Sequence, residues 1–569
     1  MDQPAFRLDS KVVGALPIIN AVLQRLDFAA LLDRHLGPPD SRAKMTPASA
    51  LHVLTRNLIL ARVPLYAVRE WARQVAPDLL GLENGSAQDL GDDRLGRALD
   101  RLFDADRNAF LTEFVLHMIR AFSIDLGEFH NDSTSITLQG EYAEADGRRV
   151  RGKPTCLVVH GFNKDHRPDL KQLLWILTVS ADGAVPVLFK VTDGNTEDST
   201  THRETWMTLR RLVGSPDFLY VADSKLCTGD NLQFIHSQSG YFVTVLPQSR
   251  KEDQVFKDWL QTHPADWPEI ARRPNPVRKD GPWEIISALE SPIPDANGFR
   301  LIWYHSSFKR ERDAQARQAA INRAWKELET LAGVLEGPRC RYRQREGVAK
   351  KAEEVLRQAG AARWLHYDVE PLEEHTYRQE KRGRPGSAMR WRRHTKTRFR
   401  LVWKPILETI EYDQRIDGIS PLVTNRQDLS PLGIHDIFKS KQPLVEKRHD
   451  LLKNVLSATP AFLKSVSRLE ALLFLVYVSL TVHALIEREV RKRMRERGKE
   501  SLPLYPEERE CRAPTARRIL EVFSDLQRHF LLKEGRIVQK FKPELSSIQK
   551  QVLSLLGVPE EGYGDPSPS

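Results

Sequence analysis

Cysteine is scarce in this sequence. Only four cysteines occur among its 569 residues, and Cys156, Cys227, Cys340 and Cys511 lie far apart, with no CxxC pair. Such spacing is typical of neither a disulfide framework nor a zinc site, and it suits a reducing cytoplasm. We therefore expect a cytoplasmic protein with free thiols.

Long apolar runs are lacking too. The start, MDQPAFRLDSK, does not have the basic flank followed by an apolar stretch that marks a signal peptide. The best membrane candidate, Ala471 to Ile486, contains no Asp, Glu, Lys or Arg but is shorter than the ~18–20 apolar residues that span a bilayer. Glu470 and Glu487 close it at both ends. The sequence therefore predicts a helix buried on all sides, and no membrane partner is expected.

The composition, with 41% hydrophobic and 28% charged residues, is that of a soluble globular protein with a sizeable core. No internal repeat is visible, and the length alone suggests two to four units. A formal net charge of +10 favours a polyanionic partner, because lysines and arginines that neutralise phosphates release counterions.

Residues 1–121 are predicted to form an N-terminal helical domain. Apolar residues recur at three- and four-residue spacing in LPIINAVLQRLDFAALLDRHL and in ALHVLTRNLILARVPLYAVREWA. Two interpretations stay open for this domain: an ordinary helical bundle, or a bundle that binds the ends of a DNA element.

Residues 122–247 have the pattern of strands. EFHNDSTSITLQG alternates, CLVVHGF is an apolar run beside a glycine, and Asp182-Gly183 predicts a hairpin turn between two longer strands. A helix over THRETWMTLRRLVG precedes FLYVAD, which is apolar up to its last residue, as a central strand covered on both faces would be. Three strands joined by hairpins, then a helix and a buried strand, predict the first part of an RNase H-like α/β core.

The strand pattern stops over residues 248–399, which we interpret as an insertion domain with a long polar helix and a basic end, RQEKRGRPGSAMRWRRHTKTRFR. Residues 400–490 form the predicted second part of the core, with strands in RLVWKPILETIEY and ISPLVTN and a helix over IHDIFKSKQPLVEKRHDLLKNVL. Residues 491–569 are predicted as a charged helical region with a disordered tail, EEGYGDPSPS. The predicted fold class is therefore α/β: an RNase H-like catalytic core interrupted by an insertion domain, with an N-terminal helical domain and a helical C-terminal region.

Three carboxylates lie where an α/β sheet collects its sites. Asp132 lies in the first strand, Asp223 follows the buried strand, and Glu446 lies on the helix after the insertion. In phosphodiester transfer, two metal ions about 3.5–4 Å apart can activate the attacking oxygen and stabilise the leaving one, and Mg²⁺ prefers carboxylate oxygens. The pattern alone is not specific in a chain with 76 aspartates and glutamates. Asp132 could cap the NDST turn, and Asp223 could cap a helix beginning at Ser224.

The surroundings of these residues resemble the bacterial insertion-sequence transposases of the IS-four-like superfamily, which have an interrupted RNase H-like core. The similar segments span roughly residues 10–490 and are LPIINAVLQRLDFAALLDRHL, FHNDST, DGNTEDST, FLYVADSKL, RIDGISPLVTN and KQPLVEKRHDLLK. The resemblance implies a DDE-type transposase that holds two Mg²⁺ or Mn²⁺ ions on Asp132, Asp223 and Glu446. It further implies binding to double-stranded DNA, namely the element's inverted repeats and the target, a homodimer in the synaptic complex, and strand cleavage and strand transfer. Such a protein is nucleoid-associated in the cytoplasm when it is bound to DNA.

The sequence departs from the hairpin-forming branch of that family at one place. Those relatives have a tyrosine and an arginine seven and four residues before the glutamate, where this chain has Lys439 and Gln442. Phe438 and Lys441 lie one residue further out, and lysine lacks the bidentate fork of arginine. The departure concerns the hairpin mechanism and leaves the carboxylate triad untouched.

Candidate DNA contacts follow from the same resemblance. Lys439, Lys441 and Lys453 are candidate phosphate contacts, with a solvated lysine as the alternative for Lys453. Arg382 and Arg384, in KRGRPG, are candidates for a narrow minor groove, where arginine favours the negative potential, or they belong to an ordinary basic loop.

Trp283 or Trp303 could stack on an unpaired base, or pack in the core of the insertion.

Two other functions stay open: a structure-selective nuclease on the same core, and a DNA-binding protein with an inactive centre. For the third carboxylate, Glu408 and Glu411 on a predicted strand and Glu470 at the start of the buried helix are rivals of Glu446. Only Glu446 has a lysine, Lys453, seven residues on and therefore on the same helical face. We expect its carboxylate to reach both aspartates at a distance that allows shared metal ions.

Overall fold

The computed structural model of the protein describes residues 6–564 except for 39–43, 83–85, 143, 276, 277, 279, 294, 338, 339, 388 and 459–462. The chain divides into two units. The first unit combines Met1–Thr244 with Asp436–Ser569, and the second unit is Val245–His435.

The amino-terminal part of the first unit is helical, as its apolar periodicity predicts. A short strand, β1 (Arg7–Val12), precedes the helices, and a proline opens α3 after Thr46, whose hydroxyl accepts a hydrogen bond of 3.0 Å from the Ser49 backbone N–H. The helices are α1 (Leu16–Arg25), α2 (Phe28–Leu36), α3 (Pro47–Ile59), α4 (Val68–Gln74), α5 (Asp92–Asp104) and α6 (Arg107–Phe122).

A mixed sheet follows in the first unit. Its strands are β2 (Glu128–Leu138), β5 (Lys171–Ser180), β6 (Val185–Asp193), β7 (Leu219–Ala222) and β8 (Tyr241–Val245), after the two-residue strands β3 (Arg149–Val150) and β4 (Lys153–Pro154). The order is β6-β5-β2-β7-β8. The first three are antiparallel, while β2, β7 and β8 are parallel. Helices α7 (His202–Val213) and α8 (Gly229–Ser237) connect the parallel strands.

The predicted strand over CLVVHGF is wrong, because the segment makes only two isolated bridges, Leu157 with Asp146 and Val159 with Gln172. It continues into a loop that is bonded to the polar side chains of β2, where the Lys164 backbone N–H donates to the Ser135 hydroxyl at 3.3 Å. This loop therefore belongs to the surroundings of the candidate site.

The second unit contains four antiparallel strands, in the order β14-β11-β10-β9. Its elements are α9 (Lys251–Thr262), β9 (Glu269–Arg273), β10 (Glu284–Glu290), β11 (Arg300–Ser306), α10 (Ser307–Glu336), α11 (Arg345–Ala359), β12 (Leu365–Gln379), β13 (Trp391–Pro405), α12 (Leu407–Ile416), β14 (Ile419–Thr424) and α13 (Pro431–Asp436). Trp303 is fully buried and stacks on Phe256, so core packing is its role, whereas Trp283 is exposed.

The boundary predicted at residues 399 and 400 falls inside β13, and the second unit extends to His435. The prediction of a strand around Glu408 and Glu411 is wrong, because both lie on the helix α12. Two residues on one face of α12 attach it to the second unit. Ile410 packs on the hydrophobic core, and Asp413 accepts hydrogen bonds from neighbouring side chains. Their three-residue spacing is that of a helical face.

The chain then returns to the first unit through α14 (Pro443–Ala458) and α15 (Val466–Glu496). By length and composition α15 could cross a membrane, yet its apolar window is fully buried. It is apolar on all sides because α1, α3, α5, α14 and β6 pack around it, together with two helices that follow it. The prediction of a buried helix is confirmed.

The carboxyl-terminal region differs from its prediction as a helical segment with a disordered tail. Besides α16 (Ala516–Glu521) and α17 (Ser547–Leu556), it forms β15 (Gln527–Lys533) and β16 (Arg536–Phe541), which make a sheet with β1 in the order β1-β15-β16. In the tail, Tyr563 is only 2% exposed and stacks on Phe523, which explains why this part of the tail is ordered. Residues 565–569 of the predicted disordered tail lie outside the described residues.

Candidate functional site

Asp132 and Asp223 are brought together by two neighbouring parallel strands. The register of β2 and β7 pairs Asn131 with Ala222, so the two aspartates stand one residue beyond the last pair. Adjacent strands lie about 4.8 Å apart, which makes the two side chains neighbours. The Asp223 backbone is fixed in turn by the Thr244 hydroxyl, which donates to its carbonyl oxygen at 2.6 Å.

Glu446 lies on α14, which is anchored on both sides of it. Before it, the buried Gln442 donates to the Asn131 carbonyl oxygen at 2.9 Å, next to Asp132 in the chain. After it, Arg448 donates to the Ala184 carbonyl oxygen at 3.0 Å in the β5–β6 turn. The apolar face of the helix is buried through Val445, Leu452 and Val455. Glu446 itself is exposed.

The helical path into α14 is irregular. The five residues Ile437–Lys441 form a π-helical turn between α13 and α14. π-turns are rare and frequently occur at functional sites, because they change the direction in which the following helix presents its side chains. Here the turn directly precedes the helix that carries Glu446.

The carboxylates perturb one another. Burial raises the pKa of Asp132 to about 7, and the like charges of Asp223 and Glu446 add to that rise while Lys164 opposes it. Burial also raises the pKa of Asp223, and a backbone N–H donated by Lys225 at 3.0 Å acts in the opposite direction. Like charges held together in a partly dry site favour the protonated form of a carboxyl. The interaction links Glu446 electrostatically to Asp132.

Two further charged residues belong to this site and were missed by the sequence analysis. The Lys164 ammonium donates to the Ser133 carbonyl oxygen at 2.6 Å and to its hydroxyl at 2.7 Å, and lies 3.0 Å from the Asp198 carboxylate. The Ser133 hydroxyl donates to Asp198 at 2.7 Å. Asp198 lies in the DGNTEDST segment, which was noted only as part of a resemblance. Lys164 had no sequence signal, because its loop follows a segment that looked like a strand.

His449 is buried next to Asp132. Its Nε2 lies 3.6 Å from Asp132 Oδ2, and neither ring nitrogen has a hydrogen-bond partner among the described residues. Burial lowers the pKa of His449 to about 3, and the charges of Lys164 and Lys453 add to this effect. The imidazole is therefore neutral and adds no positive charge to the site.

The expected convergence of the three carboxylates on one point is not formed. Among the residues that the structure describes, no three His, Cys, Asp or Glu side chains lie close enough together to hold one ion. Asp132, Asp223 and Glu446 carry like charges, which repel one another. Lys164 is the cation that offsets part of this repulsion, because it acts on Asp132 and Asp223 and forms an ion pair with Asp198. The four cysteines are free thiols.

The rival glutamates lie elsewhere. Glu408 and Glu411 are exposed residues of the second unit. Glu470 is buried near the start of α15, where it accepts hydrogen bonds from Arg107 at 2.9 Å and from the Cys156 backbone N–H at 2.8 Å. These two hydrogen bonds explain the burial of Glu470 by a structural role.

The candidate DNA contacts fall into two groups. Lys441 forms an ion pair of 2.7 Å with Glu128, and Lys453 forms one with Asp165, so their charges are already neutralised within the first unit. Lys439 is exposed, with its ammonium 5.9 Å from the Phe438 ring.

The second group is Arg382 and Arg384. Both are exposed in the loop between β12 and β13 of the second unit.

Comparisons with known proteins give limited matches. Residues 8–116 match a sequence family described as a domain of unknown function (DUF4277). No curated protein sequence matches the chain. Among solved structures, a piggyBac transposase in a cryo-EM structure of its synaptic complex with hairpin DNA shares 7% sequence identity at a TM-score of 0.37. That likeness covers 90% of this chain and 78% of the other, and at this TM-score it does not establish a shared fold.

Proposed function

We propose that this chain is a DDE-type DNA transposase in which Asp132, Asp223 and Glu446 hold the divalent metal ions that support strand cleavage and strand transfer. The observation that carries the proposal is that Asp132 and Asp223 stand side by side where the parallel pairing of β2 and β7 stops, with Glu446 acting on Asp132 from a helix. A non-catalytic protein has no physical reason to keep these like charges together.

The arrangement of the first unit supports an RNase H-like core. Three antiparallel strands are followed in the chain by two parallel ones, and the first and fourth of these strands, β2 and β7, lie side by side. Asp132 lies within the central strand β2, Asp223 directly follows its neighbour β7, and α14 supplies the third carboxylate. Apart from the strand expected over CLVVHGF, this order of elements matches the one expected from the sequence for the first part of such a core.

The donor set fits Mg²⁺ or Mn²⁺. The candidate ligands are carboxylate oxygens, which hard cations prefer. Burial raises the pKa of Asp132, and a bound cation would favour the ionised form of this carboxyl. When bound, two ions would activate an attacking oxygen and stabilise a leaving one. The protein's own part is to fix Asp132 and Asp223 on the sheet, to present Glu446 from an anchored helix, and to keep His449 neutral next to Asp132.

The proposed partners are double-stranded DNA, in the form of the element's inverted repeats and the target, and a second copy of the chain that pairs the two ends. The net charge of +10 supports a polyanionic partner. The proposed location is the cytoplasm, on the nucleoid when DNA is bound.

The test is a Glu446→Gln variant, which keeps size and shape but removes a charge. It should abolish Mn²⁺-dependent nicking of a plasmid that carries the chain's gene with its flanking DNA, while a gel shift on the same DNA stays nearly unchanged. Glu411→Gln is the matched control, because it makes the same change at an exposed helical position in the other unit.

Nicking by Glu446→Gln at the wild-type rate would refute the assignment of the third carboxylate. Nicking without any joined product would favour the alternative, a structure-selective nuclease on the same core.

A further inference from the structure

The longest strands of the second unit form a two-stranded arm. β12 and β13 pair residue by residue from Leu365 with Pro405 to Gln379 with Trp391. Near the base, Val369 and Phe399 still pack on the core that α10 and α11 build. Between these two residues the ribbon leaves the core, and residues 370–400, with Phe399 at the base, are called the basic arm.

The basic arm is exposed and strongly cationic. Residues 370–400 contain ten lysines and arginines but only four glutamates. Within them, residues 377–394 contain seven lysines and arginines and one glutamate. Almost every described residue from 371 to 397 is exposed on both faces of the ribbon. At about 3.4 Å per residue, the exposed strands and their loop extend over roughly 30 Å.

A like-charge pair marks one face of the arm. Arg378 stands directly opposite Arg392 in the ladder, and such neighbours have their Cβ atoms about 4.5–5.5 Å apart. Neither guanidinium makes an ion pair with a residue in the described part of the chain. Like charges directly opposite each other destabilise a two-stranded ribbon, which has no other strand to support it. A bound polyanion would turn this repulsion into attraction.

The opposite face has a different chemistry. Tyr377 and Trp391 alternate with the arginine pair and therefore lie on the other side of the ribbon. Their exposed fractions are 60% and 52%, which leaves two aromatic rings uncovered. The arm thus has an arginine face, with Arg378 and Arg392, and an aromatic face, on which Arg393 stands opposite Tyr377. The basic loop that contains Arg382 and Arg384 joins the two strands.

We propose that the basic arm is a DNA-binding ribbon that places its arginine face, Arg378 and Arg392, against the phosphates of a duplex. The partner class rests on the proposed function, and the arm adds Arg378 and Arg392 to the candidate contacts Arg382 and Arg384 in its loop. The major groove, about 12 Å wide, admits a two-stranded β-ribbon. Positive charge spread along both strands over roughly one helical turn suits a linear polyanion better than a compact acidic patch on a protein.

The test uses the full chain with Arg378→Glu. This change places a glutamate opposite Arg392, so the ribbon gains an attractive cross-strand pair and stays folded, while a phosphate contact is lost and reversed. The probe is a duplex of about four helical turns and arbitrary sequence, compared with one of its single strands. Arg312→Glu is the matched control, an exposed position on α10 with the same change of charge.

We expect Arg378→Glu to weaken duplex binding about tenfold at about 0.1 M salt and to reduce the slope of log affinity against log salt by about one. Arg312→Glu should bind within a factor of about two of wild type. Equal binding by Arg378→Glu and wild type, equal losses in both variants, or a preference for the single strand would overturn the inference.

The same preparations separate this inference from the proposed function. If Arg378→Glu binds like wild type while the wild-type chain still nicks DNA with Mn²⁺, the arm inference fails and the proposed function stands. If the wild-type chain neither binds the duplex nor nicks, the proposed function fails with it.

Discussion

Replacing Lys164 by methionine removes an ammonium group from the middle of the candidate site while keeping a long unbranched side chain. In the wild type that ammonium bonds to Ser133 at 2.6 and 2.7 Å and lies 3.0 Å from Asp198. It also opposes the rise in the pKa of Asp132 and of Asp223. Lys164 is thus the counterion that the fold supplies to the carboxylates, and we expect a divalent ion to compete with it.

The size of the effect follows from these contacts. Hydrogen bonds to charged groups contribute about 1.5–3 kcal/mol each. The Lys164 side chain is 27% exposed, so water replaces part of what is lost. We estimate a net loss of about 2–3 kcal/mol in metal-free protein, which lowers the apparent Tm by about 3 °C in a unit of this size. Because a divalent ion competes with the Lys164 ammonium, we expect Lys164→Met to bind Mn²⁺ with a Kd about tenfold lower than that of the wild type.

The assay is thermal unfolding of both proteins at about pH 8, once in EDTA and once in saturating Mn²⁺, together with a calorimetric titration with Mn²⁺. Lys190→Met is the control, because it breaks an ion pair of 2.6 Å with Glu204 elsewhere on the same sheet. The control should lose the same small amount of stability with and without Mn²⁺. If Lys164→Met behaves in the same way and binds Mn²⁺ no more tightly than wild type, Lys164 is not the counterion of the site.

Two more predictions concern stability. Burial raises the pKa of Asp132 from 3.8 to about 7, so the folded state keeps a proton that the unfolded state has lost, and this contribution to stability falls as the pH rises from about 4 to about 7. Asp132→Asn should therefore be more stable than wild type in EDTA above about pH 7, on the order of 2–4 kcal/mol, with the gain shrinking towards about pH 4 in urea unfolding curves; equal curves at both ends would contradict the raised pKa. In the second unit, Arg317→Met leaves the buried Asp417 without its partner at 2.7 Å and should cost about 3–5 kcal/mol, part of which Asp417→Asn in the same chain restores. A loss below about 1 kcal/mol by the same measurement would show that water replaces the arginine.

Strong local patterns allowed much of the fold to be predicted. The β5–β6 hairpin has Asp182-Gly183 in its turn, the strand before Asp223 is continuously apolar, and the helix of Glu446 has a regular buried face. Each of these signals lies within a single element. That Asp132 and Asp223 lie on neighbouring strands became apparent only from the pairing of β2 with β7.

The remaining features depend on contacts between distant residues. Lys164 reaches the site through bonds to Ser133 and Asp198, on either side of it in the chain, and no local pattern encodes that placement. β1 pairs with β15, from opposite ends of the chain, so neither strand had a visible partner in sequence. The stretch around Glu408 was mistaken for a strand because short apolar runs do not distinguish a strand from a helix.

The order of synthesis has a consequence for the first unit, whose two parts are separated by Val245–His435. Helices α3 and α5 leave the ribosome early, but α15, which covers them, is made only after the whole intervening segment. At about 5–20 residues per second, this delay is on the order of ten seconds or more, during which apolar helix faces are exposed to aggregation or to chaperones. A chain that stops early carries Asp132 and Asp223 but not Glu446, so an incomplete translation product cannot assemble the proposed nuclease centre.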